Sequence, residues 1–210
     1  MYLEKPLQDY IHDAMSNMPA PGGGSVSALA GALGATMSLM AANFTAGKKK
    51  FADVDQEVRG IIANLDGVKD RLLALMEQDI AAYQELSAAF KMPRETAKEK
   101  KDREKEIEAT LKSAMDVPRS VMAETLQILE SAERLAEIAN PNLISDVGVS
   151  AILAAAATEA SKLNVLINAY SIKDRELVDL VLRESDDALR KAEHLRHKIL
   201  GKVHKTMKKE

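Results

Sequence analysis

The run Pro21-Gly22-Gly23-Gly24-Ser25 stands directly before a stretch, Ser25 to Ala46, that contains no charged residue. Glycines let the backbone approach a ligand closely, and the free N–H groups of a first helical turn favour an anionic or electron-rich group. The pattern is not a nucleotide loop: it lacks the Lys-Ser/Thr of a P-loop and the strand before a dinucleotide fingerprint. The same residues also read as a plain tight turn.

Asp79 is the sharper candidate. It falls in the series Val58, Ile61, Leu65, Val68, Leu72, Leu75, Asp79, Ala82, Leu86, Ala89, whose steps alternate between three and four. A carboxylate on an apolar seam must be hydrogen-bonded, paired with a cation or partly protonated, and such groups are enriched at functional sites. Burial raises its pKa toward neutrality, which suits a general base or acid. The competing reading is a structural Asp that ties two helices together.

Lys48, Lys49 and Lys50 follow Gly47 at the end of the uncharged stretch. They complement a helix C-terminus, and three in a row could also hold a carboxylate tail. Asn164 and Asn168, one turn apart, form an amide stripe suited to a heterocycle or a neighbouring helix. His194, His197 and His204 lie on the polar side of the last helix with no inward carboxylate cluster, so no metal site is expected.

The elements that must position these groups are helices. With 46% hydrophobic residues, 3% aromatics and no Trp, the core must be built from Ala, Leu, Ile, Val and Met, a composition suited to closely packed helices. Seven-residue spacing dominates and no segment alternates with period two. A short helix is expected from about Pro6 to Ser16. A long uncharged one follows, capped by Ser25 and ending at Gly47. A third runs from Asp53 to Lys91. Pro93 marks a break, and Arg94 to Glu108 reads as a solvated helix or hairpin tip. The seam resumes through Ile107, Leu111, Ala114, Pro118, Val121, Thr125, Ile128, Ala132 and Leu135, with a kink at Pro118. Ser145 and Asp146 are expected to cap a small-sided helix to Tyr170, and a last amphipathic helix starts near Asp174 and frays into a Lys-rich tail. The expected fold is all-α: one domain over residues 1–210, a multihelical bundle of long antiparallel helices with two small-residue helices at its centre. The extended seams also suggest a homodimer.

Composition excludes several function classes. The net charge of −3, without a basic stripe and interleaved aromatics, gives no reason to expect a nucleic-acid partner. The absence of cysteine removes disulfides, thiolate nucleophiles and zinc–thiolate sites, and fits a cytoplasmic location. Met1 to Pro6 lacks the apolar run of a secretory signal. Ser25 to Ala46 is long enough to span a bilayer, but its small residues gain little from lipid, so a buried core helix is expected and no membrane.

Pro19-Ala20-Pro21-Gly22-Gly23-Gly24-Ser25-Val26, its continuation Ala28 to Gly34, and Gly47-Lys48-Lys49-Lys50-Phe51 resemble the formiminotransferase-cyclodeaminase C-terminal domain family. Ser145-Asp146-Val147-Gly148, then Asn164-Val165 and Ile167-Asn168, match in the expected order, so the resemblance covers essentially the whole chain. It implies an all-α, dimeric enzyme acting on one-carbon tetrahydrofolates, with no cofactor beyond that substrate. Two activities occur in the family: hydrolysis of 5,10-methenyltetrahydrofolate to 10-formyltetrahydrofolate, and removal of ammonia from 5-formiminotetrahydrofolate. With no transferase domain ahead of it, this chain is expected to be the cyclohydrolase. Asp79 would then exchange the proton, and Lys48 or Lys49 would hold the glutamate tail or assist proton transfer. Asp146 would accept from the pterin, while Gly22, Gly23, Gly24, Ser25, Asn164 and Asn168 would line the pocket. A non-catalytic helical scaffold is the rival reading. It explains the seams but gives no reason for Asp79 or the glycine turn.

Overall fold

Small residues set the centre of the molecule. A computed structural model describes residues 1–208, with six α-helices and no strand among them. They are α1 (Leu7–Ala14), α2 (Gly23–Asn43), α3 (Asp55–Phe90), α4 (Ala97–Ile138), α5 (Ile144–Ala169) and α6 (Arg175–Met207). The Gly, Ala and Ser of α2 and α5 let these two helices come together closely. They run antiparallel: Gly23 faces Asn164, Gly34 faces Ser150 and Ala154, and Thr45 Oγ1 accepts the Asn140 amide at 2.8 Å. A β-carbon on Gly34 would stand 3.3 Å from both the Ala154 nitrogen and the Ser150 carbonyl oxygen, which explains glycine there. Buried hydroxyls between helices pair with each other, Ser38 with Ser150 at 2.7 Å and Thr125 with Thr158 at 2.8 Å.

The three longest helices wrap this pair with amphipathic faces. Val58, Leu65, Val68, Leu72, Leu75, Leu86 and Ala89 of α3 are buried, as the seam predicts. Helix α4 opens on a reciprocal cap between Thr96 and Glu99. It then continues as one element through Pro118, which is itself buried. Helix α6 starts where Asp174 accepts the Leu177 amide at 3.2 Å, and buries Val181, Ala192, Leu195 and Ile199. Lys191–Glu130, Lys198–Glu133 and Lys202–Glu137 pair α6 with α4 along their solvent side. Exposed pairs of this kind fix orientation more than they stabilise.

Two expected caps are not formed. Ser25 lies inside the first turn of α2, whose cap position is Gly22, and its amide is satisfied by Asp79 instead. Ser145 and Asp146 lie inside α5, which follows Leu143 with no side-chain cap because a short 3-10 turn, Pro141–Leu143, leads directly into it. Helix α2 also ends earlier than Gly47, at Asn43. Gly47 then adopts φ of 70° in the turn before a 3-10 segment, Lys49–Val54. Helix α6 extends to Met207, and the last two residues of the Lys-rich tail lie outside the described region. Gly23–Asn43 and Pro141–Ala169 are long and apolar enough to cross a membrane, yet 61% and 50% of their apolar windows are buried in the bundle.

Candidate active site

The glycine turn and Asp79 meet at one end of the α2–α5 pair. Asp79 Oδ2 accepts the Ser25 amide at 2.9 Å. Its Oδ1 presses on Gly24 so closely that an added β-carbon would overlap it. The carboxylate of α3 therefore caps the N-terminus of α2, where free N–H groups and the helix dipole favour negative charge. Burial still pushes the Asp79 pKa up, and the Ser25 hydrogen bond offsets this only in part. No cation pairs with Asp79 among the described residues, so its charge has no Coulombic partner.

A cavity of about 420 Å³ opens over this carboxylate. Gly22, Gly23 and Gly24 form one wall, and Asn164, Ile167 and Asn168 of α5 form another. The Asn164 and Asn168 amide nitrogens donate back along their own helix, to Ala160 O at 2.9 Å and Asn164 O at 3.0 Å. That holds both amides in place, with Asn164 Oδ1 against Gly23. Tyr83 and Phe90, both about half exposed, supply aromatic surface, and Leu86, Leu111 and Ala114 make the apolar floor. The size and the mix of apolar wall with a few polar groups suit a small organic ligand. A larger groove of 560 Å³ between α4 and α6 is lined by Arg119, which already pairs with Asp116 and Glu184.

Seven of the residues singled out in the sequence thus come together: Gly22, Gly23, Gly24, Ser25, Asp79, Asn164 and Asn168. Lys48, Lys49 and Asp146 do not join them within one chain. Helix α2 spans about 30 Å, and these three stand at its far end, where the C-terminus of α2 meets the N-terminus of α5. Motif order along the sequence carried no information on which helix ends coincide. Tyr83 and Phe90 were missed although they lie on the Asp79 face, four and eleven residues on.

The formiminotransferase-cyclodeaminase family profile matches residues 6–187. A methenyltetrahydrofolate cyclohydrolase of Methylorubrum extorquens is 32% identical over 197 residues, covering 94% of this chain and 95% of that protein. A formimidoyltransferase-cyclodeaminase of Gallus gallus is also 32% identical, over 82% of this chain but only 32% of its own length. The crystal structure of formiminotetrahydrofolate cyclodeaminase from Thermotoga maritima superposes with a TM-score of 0.88 at 27% identity, covering 97% of this chain and 98% of that one. With fold and sequence in agreement over most of its length, the chain belongs to the formiminotransferase-cyclodeaminase family.

Proposed function

We propose that the protein is a methenyltetrahydrofolate cyclohydrolase, and that Asp79 carries the proton transfer. The observation that carries this reading is the Asp79 carboxylate itself, half-buried, without a cation and facing the cavity beside an open glycine turn. The relative with that activity is matched along nearly its whole length.

The methenyl carbon of the substrate is cationic and electrophilic. The ionised Asp79 favours that charge at the pocket and takes a proton as water oxygen bonds to the carbon. The tetrahedral adduct then loses its bond from carbon to N5, and Asp79 returns the proton to that nitrogen. As the C–N5 bond breaks, the adduct's hydroxyl becomes the formyl carbonyl and its proton leaves to solvent, so one proton is released overall and the formyl group stays on N10. No cofactor beyond the folate enters this scheme. The glycine turn, Asn164 and Asn168 hold the heterocycle, with Tyr83 and Phe90 against its flat faces.

The same reading includes a homodimer. Val26, Leu33 and Met40 project exposed from α2 at seven-residue spacing, and Val149, Ile152, Leu163 and Ile167 of α5 are exposed as well. Helix α2 contributes no charge to this face. Such a stripe fits a second copy of itself better than water. Pairing α2 antiparallel with its partner copy would bring the partner's Lys48, Lys49 and Asp146 to the end where Asp79 and the glycine turn lie. The lysines would then hold the glutamate carboxylates and assist proton transfer, and Asp146 would take the pterin donors. A reducing cytoplasm is consistent with the cysteine-free chain.

The test follows the near-ultraviolet absorbance of methenyltetrahydrofolate with and without the protein. Loss no faster than in buffer rejects the reading. Ammonia release from formiminotetrahydrofolate selects the cyclodeaminase instead, which the Thermotoga maritima neighbour favours.

A further inference from the structure

Tyr10 is a buried titratable side chain beside Asp79 that the reaction above does not use. Helix α1 carries it under the glycine turn, 5% exposed, with its hydroxyl 3.0 Å from Ser25 Oγ. An edge-on contact with the Tyr2 ring, centroids 5.2 Å apart, packs against it from one side. Glu77, two residues before Asp79, accepts the amides of Tyr2 and Leu3 and so fastens this N-terminal segment to α3. Tyr10 is therefore fixed independently of the pocket.

Ser25 has two donors of its own. Its amide serves Asp79 Oδ2, while its hydroxyl shares a hydrogen bond with Tyr10. Rotation about one bond, Cα–Cβ, would swing that hydroxyl toward the carboxylate its own amide already touches. We propose that Tyr10 is a positioning residue for Asp79: by holding the Ser25 hydroxyl, it limits the carboxylate to one protein hydrogen bond and leaves its remaining acceptor sites for water and substrate. This inference rests on the reading of Asp79 as the proton-transfer group.

The consequence is chemical. A further donor on an ionised carboxylate stabilises the charged form and makes it a weaker base. The other titratable groups near Asp79 are Tyr10 from α1, and Glu77 and Tyr83 from α3. The parts of α2, α4 and α5 that line the cavity contribute Gly, Leu, Ala, Asn and Ile, with no ionisable group. Burial pushes the Tyr10 phenol above its ordinary range, so it stays neutral where the enzyme is assayed and acts through geometry.

The experiment measures kcat and KM against pH for the full chain and for Tyr10→Phe, Ser25→Ala and the double variant. Asp79 is titrated in the same four proteins by carboxyl carbon NMR. Tyr10→Phe is expected to move the acidic limb, and the Asp79 titration, down by about one unit. Its kcat falls about three- to tenfold, with KM changed less than about twofold. The double variant returns the acidic limb and the Asp79 titration to the parent position, because the freed hydroxyl is gone. Ser25→Ala alone leaves the Asp79 titration within about 0.3 unit. An unmoved titration in Tyr10→Phe, or a loss of kcat that the double variant does not reverse in pH, makes Tyr10 merely structural and overturns the proposal. A rise of about one unit in Ser25→Ala overturns it too, since the hydroxyl would then already sit on Asp79, and this result does not depend on Tyr10→Phe folding. A parent protein that does not consume methenyltetrahydrofolate rejects the cyclohydrolase reading, while the NMR titrations still decide the role of Tyr10.

Discussion

Asp79 Oδ1 and Gly24 touch so closely that no side chain fits between them. The contact explains why a glycine stands at this point of a helical first turn, where its cost in backbone entropy gives no local benefit. Gly24→Ala forces the carboxylate off the end of α2 and breaks its bond to the Ser25 amide. We expect a stability loss of about 1–2 kcal/mol, comparable to a lost cap plus mild overpacking. Turnover should fall by about tenfold or more, because the proton-transfer group is displaced. Gly23→Ala is the control. Its methyl meets Asn164 Oδ1 at 3.3 Å, a contact that a shift of a few tenths of an ångström relieves, so the change should appear mainly in KM. Equal kcat losses in both variants would contradict this assignment.

Asp79→Asn keeps the shape and removes the charge. Turnover is expected to fall by about a hundredfold or more, the usual contribution of a positioned general base. Stability gives an independent reading. Burial raises the Asp79 pKa in the folded state above its unfolded value, so the folded chain holds the proton more tightly. Stability contributed by Asp79 is then greatest below the ordinary carboxylate range and is lost as pH rises through the raised value. The melting temperature of Asp79→Asn relative to the parent should therefore be more favourable at pH 7 than at pH 4. A difference independent of pH would mean that Asp79 is not perturbed.

Gly34 and Gly60 separate packing from propensity. Gly34 lies directly against the α5 backbone, so Gly34→Val should cost about 2–3 kcal/mol by overpacking. Gly60 lies in α3 with nothing within 4 Å of an added β-carbon, so Gly60→Ala should gain about 0.5–1 kcal/mol from helix propensity alone. Thermal denaturation of the two variants checks both signs.

How much of this was legible in the sequence depends on range. The α3 seam with Asp79 in its midst is a local periodic pattern, and the structure places its buried positions as the spacing predicts. Asp174 as the cap of α6 is likewise a short-range signal. Ser25 and Asp146 failed as caps for a physical reason. Asp79, from a helix more than fifty residues away, satisfies the amide that a local cap would have served. In α5 a 3-10 turn supplies the entry. Tyr10 was invisible because its partner Ser25 lies across a loop, and nothing in the spacing links them. Lys48, Lys49 and Asp146 were grouped with the glycine turn by motif, although helix direction sends them to the opposite end of the same chain.

That separation yields the most discriminating test. If α2 pairs antiparallel across a homodimer, each site draws Asp79 from one subunit and Lys48 from the other. Asp79→Asn and Lys48→Met should each abolish most activity as homodimers, while both keep their fold. Mixed and allowed to exchange subunits, half of the dimers become heterodimers. Each heterodimer contains one doubly altered site and one site with both native groups. Activity in the mixture should then recover to about a quarter of the parent value. A site confined to one chain gives no recovery, since every Asp79 and Lys48 pair would remain broken. Sedimentation of the parent protein checks the premise, and Leu33→Glu on the exposed stripe of α2 should shift it to monomer. If Lys48→Met alone keeps full activity, Lys48 has no part in the site, and the glutamate tail must be held by other groups.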